Sequence, residues 1–510
     1  MYEGANMKPN IVVRLMKSEL HNFKNVNFGK VEYLNYSSLE KDARLSTPDI
    51  LGIYGQNGSG KTALVEALDI IKRVISGNPI QYSFFSGLLS ENGSKIISTF
   101  YIKHDECQYR VEYEVNLKAY TRDDPSKCGI ALINEKISYQ TRGKGWKGKM
   151  SLSYNNPFYD NDNLLASDAS KVETSTASLI KAIPFLGDMN TLAAVCAASY
   201  TSVFFNDKVI KTLEKLKDSE NTDVAALLDI IYSLKRYASV DMSVIRVNQL
   251  GSINMNKTLP INIYHETNNS VIQAYLPIFT DGQGELPEPI FNLFQQTIVA
   301  INIAIKAIVP DLQIEVEQKS ILEKPDGNKY IQVEVYSRRG DKRFLIRYES
   351  EGIKRIISIL NFLISVYNDP TICLVVDELD SGIFEYLLGE ILSVMHQQMK
   401  GQLIFTSHNL RALETLDNAN IICSTTNPDN RYIRLTGVNR NNNRRDFYIR
   451  ALNIGGQKEE LYDDDDLQSM GYAFRKAGHK ITEEVTLPFT NDIKDKLQKA
   501  DNSKKDGGKC

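Results

Sequence analysis

A glycine-rich stretch between an apolar run and a helical pattern constrains this chain more than any other feature. Residues 55–62 read Gly-Gln-Asn-Gly-Ser-Gly-Lys-Thr, which is the G-x-x-x-x-G-K-T pattern of a phosphate-binding loop. The apolar residues at 50–54 predict a strand before it, and the apolar spacing at 63–68 predicts a helix after it. A surface turn would also explain the glycines, but the flanking strand and helix favour a phosphate loop.

The residue types in this loop fit the chemistry of phosphate binding. Glycines let backbone N–H groups curl around phosphate oxygens, and the helix that follows directs its positive end at them. Lys61 is expected to reach the β- and γ-phosphates, and the Thr62 hydroxyl is expected to bind Mg²⁺. The loop residues that we predict to contact the nucleotide are Gly55, Asn57, Gly58, Ser59, Gly60, Lys61 and Thr62.

The composition is that of an ordinary globular protein, with 42% hydrophobic and 24% charged residues among 510. The net charge of −3 provides no overall basic field for nucleic acid, although it allows a local basic patch. Six cysteines are scattered without CxxC spacing, which indicates reduced thiols and a cytoplasmic location. No stretch approaches the roughly 18 consecutive apolar residues of a membrane span, so we expect no membrane partner.

A second decisive stretch delivers two carboxylates at the end of an apolar run. Residues 371–376 are mainly apolar, as in a strand buried on both faces of a parallel sheet, and Asp377 and Glu378 follow them. Ligands of open α/β sheets bind at this end of the strands. Asp377 would hold Mg²⁺ through water, and Glu378 would polarise the attacking water. A solvated acidic turn is the alternative, and the phosphate loop in the same chain disfavours it.

Further motifs surround the acidic strand in a recognisable order. Residues 379–382 read Leu-Asp-Ser-Gly, residues 407–409 read Ser-His-Asn after a predicted strand, and residues 348–355 read Tyr-Glu-Ser-Glu-Gly-Ile-Lys-Arg. This order resembles the ABC-type ATPases of the SMC, RecF and OLD (overcoming lysogenization defect) class. The signature motif of this class corresponds here to residues 350–355, Ser-Glu-Gly-Ile-Lys-Arg. This motif and residues 18–33 are similar to those of prokaryotic AAA-named ATP-binding proteins of phage-defence systems, without a TOPRIM domain in the same chain.

The resemblance covers residues 11–120 and 290–425, approximately, and it implies that ATP is bound with Mg²⁺ and hydrolysed to ADP and phosphate. It implies a head-to-tail dimer or a higher homo-oligomer. Ser350 and Gly352 would contact the γ-phosphate held by the opposite protomer, and Asp380 would couple the two sites. His408 would contact the γ-phosphate and report its loss. The catalytic residues implied in this way are Glu378, His408 and Lys61.

Three details of the family pattern stay open in the sequence. Glu351 stands where the Leu-Ser-Gly-Gly-Gln signature of transporter ATPases has its first glycine, so the local geometry is undetermined. Gln81 and Gln108 are candidates for a glutamine-loop residue, and each is also explained as an ordinary surface side chain. Lys24 either approaches the nucleotide or is a solvated lysine.

We therefore predict an α/β fold, namely an ABC-type P-loop ATPase with a mixed or parallel core sheet, an antiparallel β subdomain and an inserted helical module. The N-terminal ATPase lobe is expected at residues 7–165 and the inserted module with its linker at 166–285. The C-terminal ATPase lobe is expected at residues 286–455, followed by a helix and a disordered tail at 456–510.

The expected function is that of a sensor or scaffold ATPase of an anti-phage defence system. It would control a separate effector, a nuclease or a toxin, through ATP-dependent assembly, with DNA or a phage protein as the trigger. The alternative is a RecF- or SMC-like ATPase of DNA repair or chromosomes that clamps DNA. The basic run at 142–149 around Trp146 fits nucleic acid, but a solvated hairpin tip explains it better. Four aspartates at 463–466 fit a solvated loop better than a nuclease metal site.

Overall fold

A computed structural model describes residues 10–33, 48–121, 128–155, 172–174, 189–216, 222–247, 258–266, 271–279, 284–325, 327–437, 443–462 and 467–479. The chain divides into two compact units, Met1–Tyr462 and Asp463–Cys510. The second unit contains one described helix. The four aspartates at 463–466 and the predicted disordered tail lie outside the described residues.

The described strands are numbered in chain order. They are β1 (Ile11–Phe23), β2 (Val26–Glu32), β3 (Asp49–Tyr54), β4 (Ser94–His104), β5 (Cys107–Tyr120), β6 (Gly129–Thr141), β7 (Met150–Asn155), β8 (Val172–Thr174), β9 (Met242–Ile245), β10 (Thr258–Glu266), β11 (Val271–Phe279), β12 (Gly284–Pro287), β13 (Leu312–Glu323), β14 (Lys329–Arg339), β15 (Lys342–Leu345), β16 (Cys373–Val376), β17 (Gln402–Thr406), β18 (Ile421–Ser424) and β19 (Tyr432–Ile433).

The described α-helices follow the same order. They are α1 (Lys61–Ile75), α2 (Tyr82–Phe85), α3 (Met189–Ser199), α4 (Asp207–Leu216), α5 (Thr222–Arg236), α6 (Glu288–Ile308), α7 (Glu351–Asn368), α8 (Glu385–Gln398), α9 (Arg411–Thr415), α10 (Arg444–Ile454) and, in the second unit, α11 (Leu467–His479).

A six-stranded sheet in the order β19-β18-β3-β17-β16-β9 carries the motifs singled out in the sequence. Its strands are parallel except β19, which pairs antiparallel with β18. The strands β3, β16 and β17 are buried along their whole length, as expected of parallel strands covered on both faces. Because Asp49 pairs with Gln402 and Val376 with Phe405, the carboxyl ends of these strands lie level at one edge.

A second, antiparallel sheet has the order β2-β1-β4-β5-β6-β7-β8. Along β5, buried positions alternate with half-buried ones, so one face of this sheet lies against the interior. One buried cluster contains Leu51 of the parallel sheet, Leu64 of α1 and Val111 of the antiparallel sheet, which places α1 in the core that the two sheets share. The parallel core and the antiparallel subdomain confirm the predicted α/β class.

The segment at 166–285 is not entirely helical. It contains α3, α4 and α5, but β9 pairs with β16 in the parallel sheet, and β10 pairs with β11 in a hairpin. A strand of four residues carries too few positions for a period-two pattern. Its pairing with β16 is also remote in sequence, so the chain around β9 gives no local sign that it belongs to the core sheet.

Helix α6 packs on a small antiparallel sheet in the order β12-β14-β13, with β15 beside β14. Phe294, Ile301 and Ile305 of the helix are buried in one cluster with Ile314 and Val333 of the sheet. By length and composition α6 meets the criterion for a membrane span, which the sequence reasoning did not anticipate. Its apolar composition is accounted for in part by this row of core contacts.

A buried polar network joins the two large sheets. The Gln402 amide accepts a hydrogen bond from the Leu15 N–H (3.1 Å) and donates to the Leu15 carbonyl (2.8 Å) and to Asp49 Oδ2 (2.6 Å). The Arg14 guanidinium donates to the Lys400 carbonyl at 2.7 Å. Burial raises the pKa of Asp49 from 3.8 to about 7, which outweighs the opposite effects of Arg14 and Gln402.

This shifted pKa predicts how stability depends on pH. A carboxyl that binds its proton more tightly when folded lowers the free energy of unfolding as pH rises from about 4 to about 7. Asp49→Asn cannot ionise, so we expect its stability relative to the parent protein to improve over that interval, by about 1.4 kcal/mol per unit of pKa difference. Chemical denaturation at several pH values measures this. The same trend in the exposed control Asp311→Asn would contradict the assignment to Asp49.

Candidate nucleotide-binding site

The predicted site residues meet at the carboxyl edge of the parallel sheet. Strands β3, β16, β17 and β18 end there at Tyr54, Val376, Thr406 and Ser424. Because the strands are parallel neighbours, residues that follow them lie side by side even though they are far apart in sequence. The edge therefore combines the phosphate loop after β3 with the acidic pair after β16.

The phosphate loop has the expected setting between β3 and α1, which starts at Lys61. Gly58 and Gly60 take positive φ angles of 79° and 90°, a region that side chains disfavour. At Gly55 a Cβ atom would lie 2.0 Å from the Ser424 hydroxyl, so only glycine fits this close approach. Ser59 is buried and its hydroxyl bonds the Gln56 carbonyl at 2.7 Å, whereas Asn57 is exposed.

The Lys61 ammonium lies over the loop. It donates to the carbonyls of Gly55 and Gln56, at 2.8 Å each. Burial lowers the pKa of Lys61, and the nearby carboxylates of Asp377 and Glu378 oppose that effect. The ammonium is thus close to the position in which it would meet phosphate oxygens.

Thr62 and Asp377 come together as the metal prediction requires. The Thr62 hydroxyl lies 3.4 Å from Asp377 Oδ1, across 315 positions of sequence. Asp377 is 1% exposed, and its Oδ2 atom is buried with no hydrogen-bond partner among the described residues. A hydroxyl and a carboxylate oxygen are ligands that suit Mg²⁺, which characteristically takes its remaining ligands from water and substrate phosphates. The residues present therefore fit Mg²⁺.

Glu378 adopts a left-handed backbone conformation, with φ of 48°. This is uncommon for a residue with a side chain and marks a locally constrained turn. The Glu378 N–H donates to the Thr406 hydroxyl at 2.8 Å, and the Leu379 N–H donates to the Thr406 carbonyl at 3.0 Å. The acidic turn after β16 is thus anchored on the last residue of β17.

Asp380 and His408 are linked through the backbone. Asp380 Oδ2 accepts a hydrogen bond from the His408 N–H at 3.0 Å. The His408 residue itself is exposed. The structure therefore fixes the main chain of His408 against the acidic turn and leaves its ring at the surface, where a second molecule can reach it.

The signature residues lie at the exposed N-terminus of α7. Ser350 is the N-cap, and in the part of the chain that the structure describes its hydroxyl bonds only the Ile353 N–H, at 3.4 Å. A Cβ atom on Gly352 would lie 2.4 Å from the Gly382 carbonyl, so glycine is required here by the approach of the 380–382 turn. Glu351 is exposed in the first helical turn, where a carboxylate suits the helix dipole.

Glu349, the residue before the signature, is bonded to side chains of β14. It is 7% exposed and forms a bidentate ion pair with Arg339, with contacts of 3.1 Å and 2.9 Å. The Ser337 hydroxyl donates to the same carboxylate. Since Arg339 and Ser337 belong to β14, the small sheet under α6 anchors the residue that precedes Ser350.

Contacts from the β18–β19 segment support the phosphate loop, and the sequence did not predict them; we call this set of contacts the brace. The Arg431 guanidinium donates to the carbonyls of Thr425 (2.7 Å) and Asn25 (2.5 Å), and the Asn25 amide donates to the Gly58 carbonyl. The Tyr432 hydroxyl donates to the Gly60 carbonyl at 2.6 Å. The contacts join positions as many as 406 residues apart, and no local pattern signals them.

Of the residues whose roles the sequence left open, Lys24 and Gln108 have ordinary partners and Gln81 lies at the surface. Lys24 forms an ion pair with Glu66 at 2.9 Å. Gln81 is exposed before α2, and Gln108 accepts a hydrogen bond from Arg142 at 2.8 Å.

In the basic run, the Arg110 guanidinium lies 4.6 Å from the ring centroid of Trp146, and Lys149 pairs with Glu112 at 2.9 Å. These internal contacts favour the interpretation of the run as a hairpin tip.

Comparisons with known proteins place the chain among ATPase domains. The family described as "AAA domain, putative AbiEii toxin, Type IV TA system" matches residues 50–414. Among curated proteins, none matches the sequence. Solved structures with similarity include the Smc head bound to the C-winged helix domain of ScpA, which is 11% identical, with a TM-score of 0.31 over 82% of this chain and 98% of that chain.

Two further SMC head structures show similar sequence identities and TM-scores. The Smc head with an extended coiled coil, bound to the C-terminal domain of ScpA derived from Pyrococcus furiosus, is 12% identical with a TM-score of 0.32, over 83% of this chain and 96% of that chain. The SMC head domain from Thermotoga maritima is 11% identical with a TM-score of 0.30, over 83% of this chain and 99% of that chain.

The brace predicts a specific effect of Arg431 on nucleotide binding. We expect Arg431→Lys to weaken ATP binding about tenfold, because a lysine cannot bridge the carbonyls that hold Asn25 against the phosphate loop. Arg434→Lys is the matched control, since the described bonds of Arg434 go to the carbonyls of Ala419, Ile421 and Glu32 and not to the loop. Both variants should lose about 1–3 kcal/mol of stability. Equal ATP affinities by equilibrium titration would contradict the brace.

Proposed function

Because the chain belongs to the AbiEii-type AAA domain family of type IV toxin–antitoxin systems, we propose that it is an ATP-hydrolysing sensor or scaffold of an anti-phage defence system. In this proposal two copies close head to tail around two ATP molecules in the cytoplasm. The closed state controls a separate effector, a nuclease or a toxin. Hydrolysis then limits how long the closed state lasts.

One observation carries the proposed ATP chemistry. Thr62 and Asp377, which are 315 positions apart, meet beside the phosphate loop, and no described residue bonds Asp377 Oδ2. Lys61 would bind the β- and γ-phosphates, and Mg²⁺, held by Thr62 and Asp377, would neutralise their charge. Glu378 would accept the proton of the attacking water. The left-handed turn of Glu378 supports such a role, since strained residues cluster at active sites.

The exposed signature supports a site shared between two copies. Ser350 is at the surface and its hydroxyl has no recorded bond to the phosphate loop of its own chain, within the described residues. The helix N-terminus there is suited to an anion that arrives from outside. Gly382 contacts Gly352, and Asp380 in the same turn bonds His408. A phosphate bound at Ser350 would therefore be coupled to the acidic turn.

The defence role rests on the family and on the sequence motifs. The family description names a toxin of type IV toxin–antitoxin systems, which supports a role in defence. The signature at 350–355 and residues 18–33 are similar to ATPases of phage-defence systems. Because this resemblance is to ATPases without a TOPRIM domain in the same chain, we assign the effector activity to a separate protein.

Mixing two inactive variants tests the shared site. Lys61→Ala should abolish ATP binding, and Ser350→Arg should bind ATP without hydrolysing it. Only a heterodimer pairs the intact loop of one variant with the intact signature of the other, so an equimolar mixture should recover about a quarter of parental turnover. Asn368→Arg, at the other end of α7, adds the same charge as a control and should remain active. A mixture that stays inactive would refute the shared site.

A trapped state tests the defence function. Glu378→Gln should bind ATP but lose about 10²–10⁴-fold in turnover, so the ATP-bound dimer and its effector should persist in a pull-down from cells that co-express the neighbouring genes. The parent protein, with those genes, should reduce phage plating, and Lys61→Ala should not. Failure to recover any effector, together with unchanged plating, would reject the defence role. Salt-sensitive, ATP-dependent DNA binding would instead support a DNA clamp.

A further inference from the structure

Thr406 bonds both acidic residues of the site, through the side chain of Asp377 and the backbone N–H of Glu378, and no motif points to it. It ends β17, is fully buried, and follows Phe405, which pairs with Val376 immediately before Asp377. Its hydroxyl makes two hydrogen bonds of opposite sense. It accepts from the Glu378 N–H at 2.8 Å and lies 2.6 Å from Asp377 Oδ1.

The direction of the second bond follows from the first. A hydroxyl has a single proton, and the Glu378 N–H is a donor, so the Thr406 proton is free to go to Asp377 Oδ1. The Thr62 hydroxyl approaches the same oxygen at 3.4 Å. Two hydroxyls thus face Oδ1, whereas Oδ2 is buried and has no partner within the part of the chain that the structure describes. The carboxylate is held with one oxygen engaged and the other available.

The same residue supports the strained turn. Glu378 has a φ of 48°, which a residue with a side chain adopts only where its surroundings enforce it. The Thr406 hydroxyl accepts a hydrogen bond from the Glu378 N–H, and the Thr406 carbonyl accepts one from the Leu379 N–H. Both N–H groups of the turn are therefore bonded to one residue. The turn lies between Asp377 and the Asp380 contact to His408.

We propose that Thr406 is a positioning residue that orients Asp377 toward the metal and holds Glu378 in its left-handed turn. The inference rests on the proposed ATPase function, since it assigns the free oxygen of Asp377 to Mg²⁺. A hydrogen-bonded neighbour of a metal ligand typically changes metal affinity about 10–100-fold when it is removed. The role requires a hydroxyl and not merely a side chain of this size.

The test compares side chains that differ in hydrogen bonding. Val has the shape of Thr without the hydroxyl, Ser keeps the hydroxyl, and Cys offers a weak donor and acceptor. Mn²⁺ serves as a spectroscopic probe in place of Mg²⁺, and its binding with a non-hydrolysable ATP analogue is measured by electron paramagnetic resonance. Analogue binding in EDTA and the melting temperature without metal are measured in parallel. Thr297→Val is the control, because the bond that the structure describes for the Thr297 hydroxyl goes to the Leu293 carbonyl within α6.

We expect Mn²⁺ affinity to follow the order Thr and Ser, then Cys, then Val, with Thr406→Val about 10–100-fold weaker than the parent. Analogue binding in EDTA should be equal throughout, and Thr297→Val should match the parent. If Thr406→Val does not fold, an intermediate value for Thr406→Cys still supports the proposal. Parental affinity in Thr406→Val, or in Thr406→Cys if Val does not fold, would overturn it.

Asp377→Asn separates this proposal from the proposed function. If that variant binds Mn²⁺ like the parent protein, the metal site itself is wrong. If Asp377→Asn loses Mn²⁺ while Thr406→Val keeps it, the metal site stands and the role of Thr406 is rejected.

Discussion

The parallel pairing of β3 with β17, and of β17 with β16, is the constraint on which the whole site depends. Parallel neighbours end at the same edge, so the residues after them are brought within hydrogen-bonding distance without any local sequence relation. A slip of one residue in either register would turn the Asp377 side chain to the opposite face. The buried Gln402–Asp49 and Gln402–Leu15 bonds resist such a slip, because they join specific positions of three strands.

The parts of the site that were predictable from sequence are those written in contiguous residues. The loop at 55–62 and the acidic end of β16 carry their chemistry in a few adjacent positions, next to apolar runs that identify their strands. The α/β class followed from the same runs. Strand β9 could not be predicted in this way, because a strand of four residues has too little periodicity to stand out from the helical patterns around it.

Thr406, Arg431 and Tyr432 could not be predicted for a different reason. Each acts through a partner that lies between 28 and 406 positions away, and their residue types are common on any protein surface. Only the register of the sheet turns them toward the site. The departure at Glu351 became interpretable in the same way. Gly352 makes the close approach to the Gly382 carbonyl, whereas Glu351 is exposed in the first turn of α7.

The brace on the phosphate loop also ties nucleotide binding to the end of the N-terminal unit. The segment that carries Arg431 is held in turn by Glu459, which accepts hydrogen bonds from Asn427 and Asn430 at 2.9 Å and 2.8 Å. These bonds lower the pKa of Glu459. Glu459 precedes the C-terminal unit by a few residues of sequence. If protonation of Glu459 alters the loop's affinity for ATP, bound ATP must alter the protonation equilibrium of Glu459 by the same factor. This follows because coupling between two binding equilibria is reciprocal.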